Sequence, residues 1–173
     1  MIQKRPVLLL FTLSLLLASC RTDELELAPI DRLPPATRSG EYTFGCLVNG
    51  EAFVPETTRD ITAIYQWGIL QLSAEAEVDS SDPGISIDIY SPIEKGRSYD
   101  LTNEPFEDVL FDEGGGSGSC RYGPENTLLG SLTITHFDSI DFIISGTFEF
   151  TTATEGCDTI RVTDGRFDIP YIP

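Results

Sequence analysis

Residues 70–78 read Leu-Gln-Leu-Ser-Ala-Glu-Ala-Glu-Val, so apolar and polar side chains alternate along the whole stretch. A period of two places successive side chains on opposite faces of a strand, and this segment therefore predicts a β-strand with one buried face. The same period recurs in residues 85–90 and 140–150, and no stretch of comparable length has helical spacing. These three segments predict an all-β fold.

Five further segments have strand-like sequences and are bounded by turn residues: 42–48, 51–54, 61–66, 128–136 and 159–171. Asn49-Gly50 joins the first two, and this dipeptide favours a type I′ hairpin because both central positions need positive φ. In the resulting register Cys46 pairs with Phe53. The spacing predicts one domain, residues 41–173, with eight to ten antiparallel strands in a β-sandwich or flattened barrel.

The apolar residues of the last predicted strand change from even to odd numbering: Ile160 and Val162, then Phe167, Ile169 and Tyr171. One residue must be absorbed between the two sets if both face the core. A β-bulge at Asp164-Gly165 would absorb it, since glycine tolerates the positive φ that bulges often need. A second hairpin at the same dipeptide is the alternative.

The first 19 residues predict a signal peptide. Lys4 and Arg5 precede an apolar run over residues 7–17, which is shorter than the roughly 20 residues of a membrane-spanning helix. The run ends in Leu17-Ala18-Ser19-Cys20, which resembles the bacterial lipobox. This resemblance implies cleavage before Cys20 and attachment of several acyl chains, such as palmitate, to that residue, which gives stable membrane anchoring. Ordinary secretion with a chance cysteine is the alternative.

Residues 20–40 contain three prolines and no alternation, and they predict an extended tether after the anchor. At about 3.1 Å per residue such a chain holds the domain up to roughly 60 Å from the bilayer. Asp23-Glu24 resembles the acidic surface-export signals of Bacteroidetes lipoproteins. The resemblance implies a place in the cell envelope, on the outer membrane and facing outward.

The charge of the chain limits its partners. Its 28 acidic and 11 basic residues give a net charge of −17, and loss of Lys4 and Arg5 on cleavage makes it −19. Such a charge repels phosphate backbones and anionic bilayers. We therefore expect no nucleic-acid partner, a membrane contact through the lipid anchor only, and a protein or glycan as the partner of the domain.

Three cysteines remain after lipidation of Cys20, so at most one disulfide forms. The hairpin register places Cys46 beside Phe44 and Phe53 on the apolar face, where it is a buried thiol. Cys120 follows a glycine-rich loop and Cys157 lies on the polar side of a strand's beginning. We expect a Cys120–Cys157 disulfide.

The sequence contains no assembled catalytic motif. His136 is the only histidine, and no nucleophile elbow accompanies it. The glycine-rich residues 114–119 lack the sequence of a phosphate-binding loop. We expect no catalytic residue, cofactor or metal ligand. The alternatives are a surface hydrolase with paired carboxylates, one of them with a raised pKa, and a calcium-dependent module using residues 79–84 or 108–113.

Aromatic side chains offer a different function. Tyr65 and Trp67 flank a predicted turn before Gly68, where an exposed ring would contact a sugar or a peptide. Packing in the core is the alternative for both residues.

Two ends of the domain resemble a known group of proteins. Leu33-Pro34-Pro35-Ala36-Thr37 and residues 43–50, Thr-Phe-Gly-Cys-Leu-Val-Asn-Gly, are similar to the opening of a Bacteroidetes lipoprotein family known as a domain of unknown function. Residues 145–150 and 162–168 resemble its closing strands. The resemblance implies a compact β domain in the envelope and carries no catalytic residues. Together these observations predict a lipid-anchored, non-enzymatic module for binding, adhesion or an accessory envelope role.

Overall fold

The computed structural model describes residues 27–76, 83–102, 107–115 and 119–173. Within them the chain forms eleven strands: β1 (Thr43–Val48), β2 (Glu51–Phe53), β3 (Ile61–Gln66), β4 (Ile69–Glu75), β5 (Gly84–Ile89), β6 (Ser98–Asp100), β7 (Glu107–Asp112), β8 (Arg121–Tyr122), β9 (Thr127–Asp138), β10 (Ile143–Thr152) and β11 (Ile160–Pro170). Three 3-10 helices, Pro29–Arg32, Thr58–Asp60 and Pro124–Asn126, complete the regular structure of these residues.

The strands form two antiparallel sheets that pack face to face. One has six strands in the order β2-β1-β11-β10-β9-β6, and the other has five in the order β3-β4-β5-β7-β8. The inward residues of both sheets form one apolar core, in which Leu70, Ile87, Leu132 and Ile144 are fully buried. The predicted all-β sandwich is confirmed. Its eleven strands are one more than the upper limit of the predicted eight to ten.

The additional strands β6, β7 and β8 lie in a region where the sequence shows little alternation. In β7 the inward positions are Glu107, Val109 and Phe111, so a carboxylate occupies the first inward site. Glu107 is only 5% exposed and accepts a 2.6 Å hydrogen bond from the Ser91 hydroxyl. Because an acid is buried and Leu110 points outward, the sequence of this strand shows no clear alternation of apolar and polar residues. Residues 108–113 lie mostly in β7 and do not form an acidic loop.

The β1–β2 hairpin confirms the predicted register. Asn49 and Gly50 have φ of 50° and 89°, Val48 pairs with Glu51, and Cys46 pairs with Phe53. Cys46 is fully buried, as the register requires.

The parity change in β11 is a bulge, and the alternative hairpin does not form. Phe148 of β10 faces Gly165, whereas Phe150 faces Val162, so β11 holds one extra residue between them. The residue with positive φ is Asp164, at 54°, and not the expected Gly165. Glycine is needed at 165 for space, because a Cβ there would lie 2.5 Å from the Phe148 carbonyl oxygen.

Beyond β11 the chain passes from one sheet to the other. The Tyr65 N–H donates to the Ile172 carbonyl (2.9 Å), and the Ile172 N–H donates to the Ala63 carbonyl (2.9 Å). Ile172 thereby pairs with the outer edge of β3. This contact covers an edge strand that would otherwise present unpaired backbone groups.

Residues 28–41, which we call the strap, lie on the domain, although their prolines suggested an extended tether. Leu33 is 8% exposed, and the Pro34 ring fills the space above Gly45. The backbone N–H groups of Ser39 and Gly40 donate to the carboxylate of Asp168, each at 2.9 Å. The strap is held because a buried carboxylate attracts its N–H groups, a feature that composition does not reveal.

The predicted signal peptide, Cys20 and the first part of the tether lie outside the described residues. Nowhere in the described part of the chain is there a helix with the length and apolar character needed to cross a membrane.

Candidate functional site

Three chain segments meet at one end of the sandwich and form a ridge. They are the β3–β4 turn, the β9–β10 turn and the residues after β11. The Gln66 side-chain amide donates to the Pro173 carbonyl (2.8 Å), and the Tyr171 N–H donates to the Phe142 carbonyl (2.7 Å). These bonds join the three segments, which carry four exposed apolar side chains that we call the aromatic tip: Trp67, Ile140, Phe142 and Ile172.

The aromatic tip exposes large apolar side chains to solvent. Trp67 is 94% exposed and Ile140 is 83% exposed, while Ile172 and Phe142 are 55% and 42% exposed. Single exposed apolar residues are ordinary on protein surfaces, but contiguous ones usually mark an interaction site. Each of the three joined segments exposes at least one large apolar side chain, which is the reason to treat this end as a candidate site.

The backbone at the tip is unusual in the same places. Trp67 has φ of 51° and Phe142 has φ of 55°, and both are bulky residues in the left-handed region. Such a conformation costs on the order of 1–2 kcal/mol for a non-glycine residue. In a type I′ turn the position of Trp67 favours Asn, Asp or Gly. The turn therefore keeps a tryptophan that the fold itself disfavours, which is typical of functional positions.

A layer of aromatic rings supports the tip from below. The Phe142 ring meets Tyr171 edge-on at 5.8 Å between centroids, and Tyr171 stacks on Phe137 at 5.6 Å. Tyr65 stands perpendicular to both of the last two rings, at 5.8 Å and 5.2 Å. These contacts hold the tip on a rigid base.

Tyr65 and Trp67 were predicted as ligand-contact aromatics, and the structure places the two residues in different surroundings. Trp67 is exposed at the turn, whereas Tyr65 is half-buried in the supporting layer and its hydroxyl accepts a hydrogen bond from the Ile93 N–H (3.4 Å). Ile140 and Phe142 were not predicted as site residues, because their alternation assigned them to a strand that in the structure begins only at Ile143. Asp138-Ser139, a turn-forming pair, was the available sign that the strand ends before them.

The side chains of Asp138 and Ser145, which lie beside His136 in the sheet, have other hydrogen-bond partners. Asp138 accepts hydrogen bonds from the N–H groups of Asp141 (3.0 Å) and Ile140 (2.7 Å), and these bonds lower its pKa from the ordinary value. Ser145, the residue opposite His136, donates its hydroxyl to Asp168. The acid and the hydroxyl nearest to the histidine in the sheet therefore serve the turn and the strap.

One carboxylate pair meets part of the expectation for a hydrolase. Asp88 of β5 lies directly opposite Asp108 of β7 on the outer face of the five-stranded sheet. Burial raises the pKa of Asp88, and a hydrogen bond from the Tyr90 hydroxyl only partly offsets this. Asp88 also borders a shallow depression of about 250 Å³ that Thr62, Gln71 and Ser86 line.

Two larger grooves lie elsewhere on the domain. A polar groove of about 440 Å³ crosses the outer face of the six-stranded sheet and is lined by Ser131, Thr133, Thr147, Glu149, Asp164 and Arg166. An apolar cleft of about 390 Å³ opens between the two sheets beside β2, where Phe53, Phe111 and Ile160 form its floor and Glu51 and Glu113 belong to its walls.

In the described ranges, no three His, Cys, Asp or Glu side chains come close enough together to hold a metal ion. Most of residues 79–84, one of the two segments considered for calcium, lies outside those ranges. The other segment is largely β7.

The three cysteines follow the expected pairing. Cys120 and Cys157 form a disulfide, with 6.1 Å between their Cα atoms. Beside it the Tyr122 hydroxyl donates to the Asp158 carbonyl (2.7 Å), which holds the two bridged segments together. Cys46 is free, and burial raises its pKa to about 12, so it is an unreactive core thiol.

Comparison with known proteins adds no relative: no family model, no curated protein and no solved structure matches the chain.

Proposed function

We propose that this protein is a lipid-anchored, non-enzymatic binding module of the bacterial cell envelope that engages its partner through the aromatic tip. The single observation that carries the binding role is Trp67, which is almost fully exposed and has a backbone conformation unfavourable for a bulky residue. The backbone conformation costs stability that packing of the exposed indole does not offset, and function is the ordinary reason for a fold to keep such a residue.

The anchor part of the proposal is supported by the sequence around Cys20 and by the course of the strap. The strap begins beside β2, where the helix Pro29–Arg32 packs, and then runs towards the Asp168 end of β11. The described part of the strap therefore begins on the β2 side of the domain, and the outer-membrane place rests on the lipobox and the acidic pair alone. The resemblance to envelope lipoproteins of unknown function points to the same place.

The anchor is tested by labelling cells that produce the protein with an alkyne analogue of palmitate. We expect the label on the wild-type chain, with cleavage before Cys20, and no label on Cys20→Ser. A wild-type chain that starts at another residue and carries no acyl chain would refute the anchor. Protease added to intact cells then tests surface display, because only an outward-facing domain is degraded.

The binding role is tested by chemical crosslinking in intact cells with three forms of the protein. Trp67→Ala removes the most exposed ring of the tip, and Leu128→Ser removes a comparably exposed apolar side chain (63%) at the opposite end of β9. We expect one crosslinked species to be lost with Trp67→Ala and retained with Leu128→Ser. The same species in all three forms would rule out the tip as the binding surface.

A surface hydrolase is the second candidate, because Asp88 combines a raised pKa with a facing carboxylate on Asp108. A protonated Asp88 would serve as the general acid and Asp108 as the base or nucleophile. Screening the chain against glycoside and ester substrates tests it. Activity that Asp88→Asn abolishes and Glu149→Gln leaves unchanged would replace the non-enzymatic proposal.

A further inference from the structure

The apolar surface of the aromatic tip is large enough for the centre of a protein interface. Its four side chains are Trp67, Ile140, Phe142 and Ile172, and their exposed fractions correspond to on the order of 500 Å², since a large side chain presents roughly 150–250 Å². A standard interface covers about 800 Å² on each partner, with an apolar centre and a polar rim. The tip thus matches the apolar centre of an interface of ordinary size.

The tip also has a definite sign of charge. The three segments that form it, residues 64–69, 138–143 and 170–173, contain Asp138 and Asp141 and neither lysine nor arginine. The ordinary pKa of an aspartate, 3.8, already lies far below 7, and hydrogen bonds from the turn lower the pKa of Asp138 further, so its carboxylate is charged at neutral pH. The adjoining loop carries Lys95, which is exposed, and Arg97, whose guanidinium pairs with Glu94 (3.2 Å) and lies over the Tyr99 ring. The three segments of the tip therefore present two carboxylates and neither lysine nor arginine of their own.

We propose that the aromatic tip docks a protein segment in which apolar side chains are flanked by arginine or lysine. This inference rests on the proposed binding function and names the class of partner. Apolar side chains of the partner cover Trp67 and Ile172. A guanidinium or ammonium group of the partner lies over the indole face and reaches Asp138 and Asp141, which combines a cation–π contact with charge complementarity.

Other occupants of the tip fit less well. A second copy of the cleaved chain would bring the same carboxylates and a net charge of −19 against themselves. Sugars stack on aromatic rings, but the branched side chains of Ile140 and Ile172 offer them no hydrogen bonds. A bilayer surface with anionic lipids would repel the two aspartates.

The test selects peptides from a random display library on the purified full-length chain in detergent. We expect selected sequences to combine Phe, Leu or Ile with neighbouring Arg or Lys, and their binding to weaken as salt is raised. Measured by anisotropy of labelled peptides, binding should weaken by at least about tenfold in Trp67→Ala, as for a central interface aromatic, and stay unchanged in Leu128→Ser. The double variant Asp138→Asn with Asp141→Asn should bind basic peptides more weakly and bind neutral peptides as the wild type does.

A second readout uses the indole itself. Trp67 is the only tryptophan of the chain. Burial by a tryptophan-free peptide should therefore shift its emission to shorter wavelength, and a peptide bound elsewhere should not.

Several outcomes overturn the inference. Selected peptides that are acidic or show no charge preference would exclude the basic partner while leaving the tip as a binding surface. The basic partner is likewise excluded if the Trp67-dependent binding is to a glycan on an array, to phosphatidylcholine vesicles, or to a second copy of the chain in sedimentation. If no probe binds in a way that depends on Trp67, the proposed function fails together with this inference.

Discussion

The Ser145 hydroxyl donates a 2.7 Å hydrogen bond to the carboxylate of Asp168, and both side chains are completely buried. Asp168 also accepts the N–H groups of Ser39 and Gly40, so a single carboxylate joins the strap to two central strands of the six-stranded sheet. Burial opposes its charge, but the surrounding hydroxyl and N–H donors outweigh burial, and the pKa of Asp168 is lowered. The strap is therefore fastened by an ionised group inside the domain.

Asp168→Ala should destabilise the domain by about 3 kcal/mol or more, because several buried donors lose their acceptor at once. Ser145→Ala removes one donor and should cost about 1 kcal/mol. Urea unfolding measures both values. Trypsin should also cleave after the exposed Arg38 sooner in Asp168→Ala than in the control Glu149→Ala. An equal cleavage rate would show that the carboxylate does not hold the strap.

Acid should weaken the same fastening. Because the pKa of Asp168 is lower in the folded chain than its ordinary value of 3.8, its contribution is complete above that value and is lost as the pH falls through the folded pKa. The wild type should therefore lose more stability than Asp168→Asn between about pH 5 and pH 2. Urea midpoints measured across this range give the difference, and parallel curves for the two proteins would contradict it.

Loss of the Cys120–Cys157 bridge should destabilise the domain by about 3–4 kcal/mol, as the chain-entropy relation gives for a separation of 37 residues. The double variant Cys120→Ser with Cys157→Ser tests this by urea unfolding under non-reducing conditions. Cys46 should resist iodoacetamide in both folded proteins, because burial raises its pKa to about 12, and react once the chain unfolds. Rapid alkylation of the folded wild type would place Cys46 at the surface.

Two glycines should tolerate alanine to different degrees, for different reasons. A Cβ on Gly165 would lie 2.5 Å from the Phe148 carbonyl oxygen, so Gly165→Ala must displace a strand and should cost about 2–4 kcal/mol. Gly50 has open space around it but φ of 89°, and Gly50→Ala should cost about 1 kcal/mol. Thermal unfolding compares the two. The reverse order would mean that β11 shifts easily at its bulge.

Trp67→Asn should make the protein more stable while it removes binding. Asparagine adopts positive φ more readily than tryptophan, so the β3–β4 turn should gain about 1 kcal/mol. For a domain of this size that gain raises Tm by about 2–4 °C. Calorimetry and the peptide binding assay are run on the same preparation. A lower Tm would show that the exposed indole supports the fold.

The sequence predicted those parts of the fold in which local and global preferences agree. Strict alternation located β4 and β5, and Asn49-Gly50 set the first hairpin and with it the burial of Cys46. It did not locate β7, because Glu107 occupies an inward position and is stabilised by Ser91, which is 16 residues away. Nor did the prolines of the strap reveal that Asp168 binds it, since that contact joins residues about 130 positions apart.

Of the two turns that form the candidate site, only one could be predicted from the sequence. Trp67-Gly68 lies between two alternating segments and marks a turn. Ile140 and Phe142, by contrast, have the same even numbering as the inward residues of the strand that follows them. The chain turns before that strand because the Asp138 carboxylate accepts hydrogen bonds from the N–H groups of Ile140 and Asp141. A periodic pattern does not show where hydrogen bonding ends a strand.

The position of β11 has a consequence for how the protein is made. It is the last of the eleven strands to emerge during synthesis, yet it lies between β1 and β10 in the middle of its sheet, and it carries Asp168. The six-stranded sheet cannot close until residues 160–170 are present, so the domain completes folding only after all the other strands have been made. For a chain that is threaded through a membrane before it folds, as a signal peptide would direct, this late closure keeps the domain unfolded and competent for transport until β11 has crossed.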